Sequence, residues 1–292
     1  MTKINVFATT GQLNVRVKAR TSESVSVTVN AYDDERLRFG RGNAKLDDGI
    51  WTFSLPAGWF CPHARECLSK ADPETGRVKD GKETQFRCFS ASTEMRRSVR
   101  NARWHNARLL KGKTRDEMAA LILDSLSPFV GVVRVHVSGD FYSQEYFDAW
   151  LDVARQRERT LIYAYTKALP FWVRRLKEVG TGYVNGSVPN FILTASRGGT
   201  HDHLIEEHGL RYATVVYSEA EAEGLGLELD HDDSHAMTAG PAFALLLHGS
   251  QPKGSAAAKA VAALRSGGEY GYGARADAIR RERGRMPLKV IR

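Results

Sequence analysis

Apolar and polar positions alternate across residues 12–31, where Val25, Val27 and Val29 are separated by Ser and Thr. A period of two turns one side of an extended chain toward protein and the other toward water, so residues 1–50 are expected to form a small β-rich lead-in. From residue 51 the pattern changes. WTFSL (51–55) reads as a strand, and a long helix is expected from about Ser90 to Leu110. A second helix, Thr114 to Leu126, opens with Thr114 and, three residues on, Glu117, the spacing of a capping box.

The β-branched run VVRVHVS (132–138) predicts the next strand. After it, Tyr146, Trp150 and Ala154, with Phe147 and Leu151, recur at four-residue steps and predict a helix from about Ser143 to Arg157. The alternation continues with strand 160–166 and helix 170–179, strand 190–196 and helix 200–208, strand 212–218 and a turn of helix. It closes with strand 241–249 and an alanine-rich helix 254–265. Strands this apolar need cover on both faces, as parallel strands with helical crossovers have. The expected class is α/β: a (β/α)6 partial TIM-type parallel barrel over 51–270, with the lead-in before it and a basic tail at 271–292. A doubly wound open sheet uses the same alternation and is the alternative.

Composition narrows the setting. The chain has 292 residues, 42% of them hydrophobic, enough for a substantial core. The start, MTKINVFATT, lacks the basic-then-apolar pattern of a secretory signal, and no run approaches the roughly 18 apolar residues that span a bilayer. A reducing cytoplasm and no membrane partner are therefore expected. The net charge of +8 and pI near 9.4 favour a polyanionic partner, a nucleotide or nucleic acid. The tail from Arg275 through Arg280, Arg281, Arg283, Arg285 and Lys289 adds to that charge, whereas Arg96, Arg97, Arg100 and Arg103 read as a solvated helix face.

All three cysteines, Cys61, Cys67 and Cys88, lie within one stretch, which in a reducing compartment points to metal ligands or reactive thiols. Three thiolates on a loop after a strand suit three irons of a four-iron cluster whose fourth iron stays open. A structural zinc site with His63 as fourth ligand is the alternative and stays open on spacing alone. The segment between Cys67 and Cys88, rich in Gly, Lys and Asp, is expected to loop freely. A second signal is Ser138-Gly139-Asp140 at a strand end, where parallel barrels gather their ligands; an ordinary turn in which Asp140 or Ser143 caps the helix explains it equally simply. Thr166, Lys167, Ser196, Arg197, Ser218 and His248 close other strands. His231-Asp232-Asp233-Ser234-His235 offers metal or acid–base chemistry but reads first as an exposed polar loop. HGSQPKGS (248–255) is a weak anion-site pattern before a helix.

GNAKL (42–46), FSLPAGWFCP (53–62), FRCFSAS (86–92), RVHVSGDFYSQEYFDAW (134–150), YAYTKA (163–168) and the strand from Asn190 to Ser196 together resemble the phage gene-product-eighty-eight family of actinobacteriophages, over about residues 40–265. That pattern is in turn similar to radical S-adenosylmethionine enzymes. The resemblance implies that Cys61, Cys67 and Cys88 hold a [4Fe-4S] cluster and that Ser138, Gly139 and Asp140 receive the methionine ammonium of S-adenosylmethionine. It implies further that Lys167 and Ser196 meet the cofactor's carboxylate and ribose, and that an electron donor feeds reductive cleavage of the sulfonium. The cysteine spacing, with five and then twenty residues intervening, is wider than in those enzymes. The second function class is a non-catalytic zinc- or cluster-stabilised protein that binds a host or phage macromolecule through its basic surface.

Overall fold

A computed structural model of the chain describes residues 35–42, 45–47 and 49–266, together with the backbone of three strands within residues 4–30. The chain divides into two units, Met1–Arg36 and a second beginning at Leu37. In the first, β1 (Ile4–Thr9), β2 (Gln12–Lys18) and β3 (Ser24–Asn30) form an antiparallel sheet in that order. Val15 stands opposite Val6 on one side and Val27 on the other, the register that the alternation of valines favours. The basic tail, 271–292, lies outside the described residues.

The second unit is built on an eight-stranded sheet. Its strands are β4 (Gly40–Arg41), β5 (Ile50–Ser54), β8 (Val132–Ser138), β9 (Leu161–Thr166), β10 (Phe191–Ser196), β11 (Tyr212–Val216), β12 (Glu228–Leu229) and β13 (Phe243–Leu246); β6 (Ser69–Ala71) and β7 (Val78–Asp80) form a separate antiparallel pair. Except for β4, all pair in parallel. From β5 the order runs β8, β9, β10, β11, β13, so each long strand lies beside the next one along the chain, and only the two-residue β12 departs by joining the far edge. A doubly wound sheet reverses its order at a switch point; this one runs a single way.

Nine helices are described: α1 (Phe89–Thr93), α2 (Arg97–Leu110), α3 (Arg115–Ser125), α4 (Gln144–Gln156), α5 (Leu169–Val173), α6 (Leu176–Val179), α7 (His203–Glu207), α8 (Glu219–Gly224) and α9 (Ala256–Ser266). The two-residue period of the strands decides what each face meets. Val133 and Val135, Ile162 and Ala164, and Phe191, Leu193 and Ala195 enter the large core with residues of α2, α3, α4, α5 and α7, including Trp150 and Trp172. Their neighbours Val132, Tyr163 and Ile192 face the other way, into a smaller cluster with Leu46, Ala236 and Phe243. This second face is covered by coil segments around Leu46 and Ala236, so both faces have the cover that such apolar strands need.

Local chemistry sets the helix ends. Thr114 and Glu117 form both halves of the capping box at α3, and the Ser143 hydroxyl accepts from Tyr146 N at 3.2 Å to cap α4. The helix expected over 90–110 is two helices, broken at 94–96. Arg100 donates to the carbonyls of Glu94 (2.6 Å), Met95 (3.3 Å), Pro73 (2.9 Å) and Glu74 (2.9 Å), so its guanidinium takes up carbonyls that the break releases. Arg103 is likewise buried, on Glu94 and the carbonyl of Ser90. The solvated-face reading therefore holds for Arg96 and Arg97, which are exposed, and fails for Arg100 and Arg103. The helix expected over 170–179 is also split, into α5 and α6.

Candidate functional site

The first two cysteines follow β5. Leu55 N donates to Ser138 O (2.8 Å) and Ala57 N to the buried Glu94 carboxylate (2.8 Å), which fixes where the chain leaves the sheet. Gly58 then turns with φ of 69°, its N–H directed at the Cys61 sulfur at 3.3 Å; a Cβ here would meet Ser69 O at 2.3 Å. Asp140 N donates to Phe60 O (2.7 Å), tying this loop to the turn after β8. Beyond Cys61, Arg65 N and Glu66 N both donate to Gly198 O, and Thr200 N to His63 O, so the loop is also sewn to the segment after β10.

The twenty residues between Cys67 and Cys88 do not loop freely as expected. β6 and β7 pair along Ser69–Ala71 and Val78–Asp80, Gln85 N returns to Glu66 O (2.7 Å), and Arg87 grips Asp80 through two nitrogens at 2.5–3.1 Å. Cys88 N consequently donates to the Ser69 hydroxyl at 3.2 Å, only two residues beyond Cys67 in sequence. Backbone pairing removes the separation that the sequence puts between the second and third thiols.

The Cys61 thiol lies within electrostatic reach of both other sulfurs, and Cys67 within reach of Cys88. Burial pushes the Cys61 thiol well above its ordinary value, with Asp140, Cys88 and Cys67 adding to the rise. Burial also raises Cys67, to about 11, opposed by the Lys167 ammonium and reinforced by Cys88 and Asp140. Both are therefore thiols at neutral pH, and a cation entering among them would displace protons. Among the described residues, no three His, Cys, Asp or Glu side chains stand close enough to hold a metal ion as they are. His63 packs its ring against Phe171 (5.5 Å between centroids) and His201 (4.7 Å).

The turn after β8 is shaped by a bulge. β5 and β8 shift register between Thr52 and Ser54, and His136 adopts φ of 65°. Gly139 follows at φ of 81°, with the Leu55 side chain where its Cβ would be. Asp140 accepts from the Thr166 hydroxyl (2.6 Å), Lys167 N (2.8 Å) and Phe141 N (2.8 Å), while Ser143, not Asp140, caps α4. Burial raises the Asp140 carboxyl to about 6 against these donors. Lys167 donates through Nζ to the Ser196 hydroxyl and carbonyl, both at 2.8 Å, and to Arg197 O. Asp140, Lys167 and Ser196 thus form one bonded chain across three neighbouring strand ends, within electrostatic reach of Cys67, and Ser138 approaches Glu94 at 3.5 Å. The polar atoms of Asp140 and Lys167 are engaged with protein partners.

Other strand-end residues have local duties. Ser218 caps α8, and the Arg197 guanidinium lies over Tyr212 at 4.0 Å and pairs with Glu206. His248 lies 4.4 Å from the Phe89 ring, next to Cys88. In 248–255, Gln251 clasps the backbone of Arg87 and Ser255 accepts from Ala258 N, so the first turn of α9 is served by its own hydroxyl. The expected exposed loop at 231–235 is not exposed at its centre: Asp233 is wholly buried. Glu94 is another group that sequence reasoning missed. Its Oε1 takes Ala57 N, Arg103 and Ser138, whereas Oε2 is buried with no partner. Its partners lie 9 to 44 positions away, separations that leave no local signal.

No helix among the described residues is long and apolar enough to cross a membrane. No curated protein matches the chain, and no solved structure does. A family model described as gene product 88 matches residues 35–266, from the residues just before β4 through α9, and so includes all three cysteines and the turn after β8. The chain belongs to the gene product 88 family.

Proposed function

We propose that the protein is an iron–sulfur protein of radical S-adenosylmethionine type, its sequentially ordered strands forming a (β/α)6 partial barrel with the [4Fe-4S] site at the strands' C-terminal ends. The carrying observation is that the β6–β7 pairing brings Cys88 N onto the Ser69 hydroxyl at 3.2 Å, two residues from Cys67, while Cys61 lies within electrostatic reach of both other thiols and of Asp140. Three thiols gathered after one strand suit three irons of a four-iron cluster, whose fourth iron stays open to a cofactor. The zinc alternative keeps its fourth ligand, since His63 Nε2 is buried with no hydrogen-bond partner.

With its cluster and S-adenosylmethionine bound, such a site supplies one-electron reductive cleavage of a sulfonium. The chain's own contribution is placement. The β6–β7 pair and the Arg87–Asp80 grip return Cys88 to Cys67; the chain of Asp140, Lys167 and Ser196 holds three strand ends in fixed relation. Ser138, Gly139 and Asp140 would offer the cofactor ammonium their turn, and Lys167 with Ser196 would border its carboxylate and ribose. An external electron donor is required. The net charge of +8 favours a nucleotide or nucleic acid as substrate, in the host cytoplasm.

The test is anaerobic reconstitution with iron and sulfide. The wild type should turn brown, with broad absorption at about 400 nm and about four irons per chain, and should release 5′-deoxyadenosine from S-adenosylmethionine under a strong reductant. Replacing Cys61, Cys67 or Cys88 by Ala should remove both properties. A colourless protein with about one zinc per chain favours the zinc-stabilised binding protein instead.

A further inference from the structure

The sheet face turned away from the helices carries a buried polar centre that the thiol site does not use. Four donors converge there on the Asp233 carboxylate. Oδ1 takes Lys45 Nζ at 2.6 Å and the Tyr165 hydroxyl at 3.1 Å, a hydroxyl shared with the buried Asp230 carboxylate at 3.3 Å; Oδ2 takes Arg134 Nη1 at 2.7 Å and the Tyr163 hydroxyl at 2.9 Å. Arg134 belongs to β8, and Tyr163 and Tyr165 to β9, so most of the donors stand on the sheet. Their acceptor does not. Asp233 lies in the coil between β12 and β13, in left-handed backbone with φ of 63°. That coil is also held by Arg211, which donates to His235 O and Thr238 O, by Asp230 N on Ala244 O and Gly240 N on Gly182 O, and by the buried Ala236.

Two cations and two phenols on a rigid support make an oxyanion site, and the number of donors indicates which oxyanion. Each Asp233 oxygen already takes two donors, yet Arg134 Nε is buried with no acceptor. A phosphate, with more terminal oxygens than a carboxylate, can use that fifth donor. The centre also has a direction. The side chain of His248, on the strand end after β13, lies 4.4 Å from the Phe89 ring, and Phe89 follows Cys88. After burial, the largest effects on the His248 imidazole, which lies low at about 4, come from Lys45 and Arg134. His248 is therefore within electrostatic reach of the donor cluster and packs on the residue that follows the third thiol.

We propose that Lys45, Arg134, Tyr163 and Tyr165 form a phosphate-binding site on the inner face of the sheet, and that Asp233 is its internal stand-in, displaced with its coil when a phosphate-bearing ligand enters. The site itself rests only on these contacts. That the rest of such a ligand extends past His248 toward the thiols rests on the function proposed above.

The experiment uses the full-length protein and inorganic phosphate, with acetate as the carboxylate arm. Hydrogen exchange of residues 230–238 in the wild type should quicken saturably with phosphate and little with acetate, because displacing Asp233 releases the coil. Asp233→Gly keeps the left-handed backbone unstrained and empties the site. It should bind phosphate at least about tenfold more tightly than the wild type, since the ligand no longer competes with an internal anion. Adding Arg134→Gln to Asp233→Gly should abolish that gain. Exchange at 230–238 that ignores phosphate in the wild type would overturn the proposal, making Asp233 a fixed structural counter-ion, whether or not Asp233→Gly folds; a folded Asp233→Gly that binds phosphate no better would do the same. Greater sensitivity to acetate than to phosphate would overturn the assignment to phosphate. None of these readouts involves iron, so their failure leaves the cluster proposal standing, and loss of the cluster leaves them interpretable.

Discussion

The Thr166 hydroxyl donates to Asp140 at 2.6 Å and also accepts from Ala168 N at 2.9 Å, so one side chain joins the turn after β8 to the end of β9. Thr166→Val keeps the shape but leaves a buried carboxylate short of a donor and a buried N–H without its acceptor. The expected cost is about 1–3 kcal/mol in urea denaturation at neutral pH, while Thr166→Ser stays near wild type. Equal stability of the valine and serine variants would contradict this role.

Gly139 combines φ of 81° with a neighbour in the way, since a Cβ there would lie 2.6 Å from the Leu55 Cβ. Gly112 has a similar φ of 78° and nothing near it. Gly139→Ala should therefore cost about 2–4 kcal/mol, against about 1 kcal/mol for Gly112→Ala, where only the backbone is strained. Thermal unfolding of the pair separates steric from conformational cost.

Arg100 satisfies carbonyls within the α1–α2 break and on the turn joining β6 to β7. Arg100→Met retains much of the apolar stem and loses every donor, with an expected cost of about 2–4 kcal/mol. Hydrogen exchange should quicken at residues 73–76 and 94–96 before it does in β8. Because that turn belongs to the segment returning Cys88 to Cys67, iron loading should fall as well.

His136 is buried beside Tyr146 OH (3.1 Å) with its Nδ1 unpartnered, and burial lowers its pKa from 6.5 to about 3. The unfolded chain binds this proton at a higher pH than the folded chain does. Stability attributable to neutral His136 is thus fully present above about pH 6.5 and declines as pH falls toward 3, at up to about 1.4 kcal/mol per pH unit. Asn tolerates the left-handed backbone at this position, so His136→Asn should flatten the stability profile between pH 6 and 4. An unchanged slope would assign the acid sensitivity to other groups.

What the sequence made legible followed the range of the interactions involved. The strands around Val133, Ile162 and Leu193 were readable because a run of β-branched and apolar residues is a local signal, and the α3 cap because Thr114 and Glu117 are three residues apart. The convergence of Cys88 on Cys67 was hidden, since it depends on the pairing of Ser69 with Asp80 and on Arg87. The burial of Asp233 was hidden for the same reason: its partner Arg134 is 99 residues away, and a run of His, Asp and Ser has the composition of an exposed loop. Arg100 and Arg103 looked like a solvated face because the carbonyls and the carboxylate they satisfy exist only after the helix breaks. The candidate thiols and the turn at Ser138, Gly139 and Asp140 were visible as residue types; their mutual geometry was not.

The central claim is that Cys61, Cys67 and Cys88 hold one cluster with an open iron, and electron paramagnetic resonance of the reduced, anaerobically reconstituted protein tests it most directly. The account predicts the signal of a reduced [4Fe-4S] cluster that changes shape when S-adenosylmethionine is added and is lost in the Cys88→Ala variant. A protein that takes up no iron, or whose cluster signal survives in the Cys88→Ala variant and ignores S-adenosylmethionine, would contradict it.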